Sequence, residues 1–245
     1  MDKTNEMPGF ARRAARRLFL GRLAAGAGVI GAAVATSPAG SAALAAPTAE
    51  AKDESWRPAR HTQDDWLDQI PGQHRLIFDT TSADGMFWGL RFAGNFYSAN
   101  QDAYGLKNSD LAVVIVARHK SAPFGYSSAM WAKYGKYLSE HADFVDPKTK
   151  EFPVANLYAT PNQSLGQGAA PDPIGMLIRK GTHFAVCAMS TRAIAGKIAA
   201  GTGAKADEVF KELAANLVGN GHLVSAGIVA VNRAQERGYS LASAG

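Results

Sequence analysis

Asp110-Leu-Ala-Val-Val-Ile-Val-Ala117 is an unbroken apolar run in which four consecutive residues are β-branched. It has no polar alternation, so the strand it predicts must be covered on both faces, as the strands of parallel sheets are. Upstream, His74 to Asp79 predicts a short strand that opens into a Thr-Thr-Ser-Ala-Asp-Gly loop. Gly85 to Tyr104 follows with helical spacing and stops at Gly105. Downstream, Ser127 to Leu138 predicts a helix carrying Met130, Trp131, Tyr134 and Tyr137. A short helix over Pro173 to Lys180 stops at Gly181, and Thr182 to Cys187 predicts the third strand. Helices are expected over Thr191–Ala200 and Lys205–Val218, then a fourth strand at His222–Val224. Ser225 is expected to cap a helix over Ala226–Glu236, and Gly238–Leu241 closes as a last strand. Strand and helix alternate throughout, which predicts an α/β fold of three layers around a mostly parallel sheet of about five strands. Right-handed crossovers would carry helices to both faces.

Two stretches break this rhythm. Residues 46–72, interrupted by Pro47, Pro58 and Pro71 and with only a short amphipathic stretch at Asp64 to Ile70, are expected to be a linker lying on the domain surface and held by Trp56 and Trp66. Residues 139–170 contain Pro147, Pro153, Pro161, Gly166 and Gly168 and are expected to be irregular. A loop of that length in a compact domain suggests a lid or an oligomer contact.

The formal charge of +5 divides unevenly. Residues 1–45 hold six basic and two acidic groups, which leaves twenty basic against nineteen acidic in the remainder. A nearly neutral body lacks the footprint of a nucleic-acid binder. The basic segment itself reads as a leader. Arg16-Arg17-Leu18-Phe19-Leu20 resembles the twin-arginine export signal, with Ala15 before it and the following basic residue displaced to Arg22. The apolar run Leu23–Ala35 falls short of the ~20 residues that span a bilayer. Ala43-Leu44-Ala45 offers a small-x-small cleavage pattern. The expectation is a signal peptide over 1–45, export in the folded state, and an extracytoplasmic, for instance periplasmic, protein without stable membrane insertion. The competing reading, a retained amphipathic anchor, is weakened by Gly26, Gly28 and Gly31.

The single cysteine cannot form an internal disulfide, so packing must supply stability. Cys187 is then a buried small hydrophobe or a working thiol. It ends a predicted strand just before a helix starting near Ser190 or Thr191, on the sheet edge where open α/β folds bind ligands. A helix N-terminus there would favour thiolate. His119 and Arg118 end the second strand and could face the same crevice, His119 orienting a ligand and Arg118 holding an anion; both equally fit an exposed loop. Asp79 and Asp84 bracket the first loop, where Asp84-Gly85 also fits turn and N-cap chemistry. Trp131 and Tyr134 suit a core or a subunit contact. His183 and Cys187, four apart on one strand, lie about 13 Å from each other, too far to share a metal ion. No paired-cysteine, His-x-x-x-His, Gly-rich phosphate or Gly-x-Ser-x-Gly pattern is present, so no cofactor or metal site is expected.

The order of Phe78-Asp-Thr-Thr-Ser-Ala-Asp-Gly85, Val116-Ala-Arg-His119, Met130-Trp-Ala-Lys-Tyr134, His183-Phe-Ala-Val-Cys187 and Ser225-Ala-Gly through Arg237-Gly-Tyr239 resembles the DsrE/DsrF-like family, in particular an exported branch. The likeness covers roughly residues 73–242 of a domain taken as 73–245. It implies a flavodoxin-like three-layer fold, homo-oligomers, and a cysteine that carries sulfur as a persulfide, at the position of Cys187. The resulting expectation is a protein that binds or relays a small sulfur species, or receives it from a partner thiol protein. The alternative is an oligomeric binding or assembly module with an inert, buried Cys187, working through the long loop and the Trp131/Tyr134 surface. A cofactor carrier is a third reading, prompted by the export route alone.

Overall fold

The structure is a computed structural model that describes residues 56–160 and 172–244. The leader expected over 1–45 and the tip of the long loop lie outside the described residues. Five strands form one sheet: β1 (His74–Thr80), β2 (Leu111–Ala117), β3 (His183–Cys187), β4 (Gly221–Val224) and β5 (Ser240–Ala244). Every neighbouring pair is parallel, in the order β4-β3-β2-β1-β5. The expected covering of β2 is met: all seven of its residues are buried.

The helices are α1 (Trp66–Gln69), α2 (Ala83–Tyr104), α3 (Ser128–Ala142), α4 (Pro173–Lys180), α5 (Ala188–Thr202), α6 (Ala206–Ala215) and α7 (Gly227–Gln235). Strands β1 to β4 are laid down in one direction across the sheet, so right-handed crossovers place α2 to α6 on one face. From β4 the chain returns past all of them to the far side of β1, which puts α7 on the other face. The two cores record this division. Leu90, Tyr97, Trp131, Ile174, Ile194 and Leu213 pack with Val113, Ile115, Phe184 and Val186. Ala230, Val231 and Ala234 of α7 pack with Ala112, Val114, Val116 and Ala185. The period-two alternation of β2 and β3 sorts their side chains between the layers. The layering is flavodoxin-like, but the edge beside β1 is filled by the last strand instead of the second.

Three local expectations change. Residues 62–70 form a turn and α1, whose Leu67 and Ile70 are buried on the α7 face. Arg237, its side chain fully enclosed, donates to Asp68 at 2.9 Å and ties this segment to α7. Trp66 holds the segment as expected, whereas Trp56 is 77 % exposed and holds nothing. The long loop is partly core: α3 runs on to Ala142, and Asn156, Leu157 and Tyr158 are buried. Asn156 Nδ2 donates to the carbonyls of Phe124 and Tyr126, and its Oδ1 accepts from Tyr158 N. Finally, of the two places expected for Trp131 and Tyr134, the core is the one they take, which leaves no surface there for docking. Both are interior, Trp131 Nε1 donating to Pro123 O and Tyr134 Oη to Glu212. At amphipathic spacing a large aromatic lowers the free energy most by facing the core, and here the helix turns it inward.

Candidate functional site at the parting of β3 and β4

The connections leaving β3 and β4 diverge to opposite faces: β3 runs into α5 and β4 into α7. Adjacent strands whose chains part in this way open the crevice in which parallel sheets bind ligands. Cys187 and Val224 are the paired last residues of these two strands. The only thiol of the chain therefore stands at the topological switch point.

Its sulfur caps one helix and faces the start of a second. Cys187 is the N-cap of α5, and Sγ accepts from Ser190 N at 3.5 Å. Helix α7 has no capping side chain of its own: Ala226 occupies the cap, not Ser225 as expected. The amide of Gly227 instead faces the same sulfur closely enough to lower its pKa, as do Met189 N and the Ser190 hydroxyl. Burial pushes the thiol up, but these donors outweigh it and hold Cys187 below the ordinary thiol range. Cys187 is 5 % exposed, so the sulfur lies just under the rim, with Met189 exposed beside it.

Other side chains fix this geometry. Thr191, fully buried, donates through Oγ1 to Cys187 O at 2.9 Å and accepts from Tyr126 Oη at 2.8 Å. Burial drives Tyr126 well above the usual phenol range, so it stays a donor. The loop after β2 is joined to α5 because His119 N donates to Ser190 Oγ at 2.9 Å. His119 adopts φ +54°, a left-handed conformation that a non-glycine residue holds only where its surroundings demand it. Its ring Nδ1 lies 3.3 Å from Thr81 O, and His141 Nε2 donates to its carbonyl at 3.0 Å.

No family model, curated protein or solved structure matches the chain. Its chemistry must be read from the site itself.

Arg118 forks onto Asp79, Nε and Nη2 donating to the two carboxylate oxygens at 2.7 and 2.8 Å. That hydrogen bond raises the guanidinium pKa. Arg118 N donates to Ser121 Oγ, which donates in turn to Thr80 O, fastening the loop to β1. The stem of Arg118 also backs onto Gly227, where an added Cβ would come within 2.7 Å of Arg118 Cβ and Cδ. Arg118 thus carries positive charge to the site and packs the start of α7, while two arms of its fork are engaged. Asp84 does not join this group. Ser82 caps α2 by accepting from Gly85 N, and Asp84 is exposed in the first turn, where its charge acts on Tyr158. Of the residues singled out in the sequence, Cys187, Ser190, Thr191, His119, Arg118 and Asp79 are brought together. Gly227 and Tyr126 were missed. Gly227 becomes a candidate only when the strand order is known, and Tyr126 carries no local signal.

The arrangement can hold a thiolate, surround it with donors, and place the Arg118 guanidinium nearby. Among the described residues no group of three or more His, Cys, Asp or Glu side chains could hold a metal ion. No described helix is long and apolar enough to cross a membrane.

Proposed function

We propose that the protein is an extracytoplasmic, DsrE-like sulfur carrier, exported by the twin-arginine route and homo-oligomeric, in which Cys187 accepts sulfane sulfur from a small anion or a partner thiol protein. One observation carries this reading: the lone thiol caps α5 at the switch point, faces the first amide of α7, and is acidified there despite its burial. Thiolate is the nucleophilic form of cysteine. With thiosulfate, it attacks the outer sulfur; a new S–S bond forms, the bond to the sulfonate sulfur breaks, and sulfite departs with the electron pair. No oxidant is consumed. The amides that hold the thiolate are placed to hold the terminal sulfur of the resulting persulfide, also an anion. Intact-mass and peptide spectrometry after incubation with thiosulfate, tetrathionate or polysulfide tests the proposal. An adduct on Cys187 is expected, and its absence with all three ends it.

A specific observation favours a second reading, a non-catalytic binding or assembly module with an inert cysteine: Cys187 is only 5 % exposed. Labelling with a small maleimide separates the two. Modification of the native protein within minutes supports the carrier, and modification only after denaturation supports the module.

A further inference from the structure

His183 begins β3 and His222 is the second residue of β4, at the end of the sheet opposite Cys187, on the α7 face. His183 Nδ1 and His222 Nε2 are 2.8 Å apart. The ring centroids are 5.1 Å apart and the planes differ by 19°. At that nitrogen separation 5.1 Å is the greatest centroid distance two imidazoles can reach, so the rings lie end to end and nearly coplanar, lone-pair axes opposed. Trp66 covers one side, stacked on His222 at 4.0 Å and 6.3 Å from His183. By the median of this triangle, the midpoint between the imidazoles lies about 4.6 Å from the Trp66 centroid, inside the ~6 Å range of cation–π attraction.

We infer that this pair is a binding site for a soft monovalent ion of the Cu(I) class, held in linear two-coordination between His183 Nδ1 and His222 Nε2 and faced by the Trp66 ring. Opposed, coplanar nitrogens suit a two-coordinate ion, whereas ions that demand four or six ligands find no third His, Cys, Asp or Glu beside the pair among the described residues. A metal–imidazole bond of about 2.0–2.1 Å places trans nitrogens about 4 Å apart. The rings must then draw back by about 1 Å in total, a movement open to half-buried side chains at a strand end. The proton between them shifts to the far nitrogen of its own ring, so both facing nitrogens become bare and no proton leaves the pair. Burial lowers the pKa of both imidazoles and keeps them neutral, the form that ligates.

The test uses the full chain carrying Cys187→Ala, so that the thiol does not compete, and Ag(I) as a redox-inert probe. Expected are uptake of one ion, movement of the ¹⁵N resonances of both His183 and His222 rings, and a change in emission that Trp66→Phe removes. His222→Gln should weaken binding by more than the roughly 10–100-fold that outer-shell changes cost. Ring resonances of His183 and His222 that stay fixed on saturation with Ag(I) would overturn the inference, as would undiminished uptake by a folded His222→Gln chain. If that variant does not fold, the ring resonances of the parent decide alone.

Discussion

The amide of Gly227 faces Cys187 Sγ across the seam where β3 and β4 part and favours its thiolate, so the first turns of two helices on opposite faces of the sheet act on one sulfur. A hydrogen bond to a charged group contributes about 1.5–3 kcal/mol, or roughly one to two pKa units. Replacing Ser190 by Ala deletes the hydroxyl donor and keeps the backbone one. The thiol should titrate higher, read from thiolate ultraviolet absorbance against pH. An unchanged titration would show that the hydroxyl does not serve the sulfur.

Gly227→Ala attacks the same seam from the other side. Its Cβ would fall within 2.7 Å of Arg118 Cβ and Cδ, so α7 or the Arg118 stem must shift. Overpacking of this kind costs about 1–3 kcal/mol. The denaturation midpoint should drop and the thiol pKa should rise together; a drop in stability with the thiol unmoved would separate Gly227 from the sulfur.

Asn156→Ala tests whether the middle of the long loop belongs to the core. The substitution strips partners from the carbonyls of Phe124 and Tyr126 and from the amide of Tyr158. Buried groups left unpaired in this way cost about 1–3 kcal/mol each, and local relaxation brings the sum to about 2–4 kcal/mol. Urea unfolding checks the figure. A change below about 0.5 kcal/mol, the usual range for surface positions, would mark the loop as dispensable.

Stability should fall in mild acid through the two strand-end imidazoles. Burial lowers His183, and burial together with His183 lowers His222 to about 4. In the unfolded chain both take up protons below about 6.5. Between those values the unfolded state binds more protons, so stability increases with pH from about 4 to about 6.5 and is flat above. Below about 4 His222 is protonated in both states and adds no further loss. Denaturation midpoints across this range should lose most of their slope in a His183→Gln/His222→Gln chain; a slope that persists belongs to other groups.

Much of the architecture was legible because it is written locally. The unalternating run of β2 required cover on both faces, and Gly105 and Gly181, both at positive φ, closed their helices where expected. Cys187 could be placed at a strand end from its neighbours alone. The partner of its sulfur could not: Gly227 reaches it only because β4 lies beside β3 and α7 crosses to the far face, and nothing near residue 227 encodes that order. Trp66 was expected to hold the segment around it and does, but its stacking partner His222 lies far along the chain and nothing near residue 66 encodes that contact. Asn156 was invisible for a different reason, because a polar residue between prolines reads as solvent-facing until the carbonyls it satisfies are seen.

The return of the chain from β4 to the far flank of β1 ties the surroundings of the sulfur to the longest-range strand pairing in the sheet, that of β1 with β5. A chain with β3 and α5 in place but α7 undocked would offer residue 187 only the amides of its own turn. The acidity of that thiol therefore reports on whether the two ends of the domain have been joined.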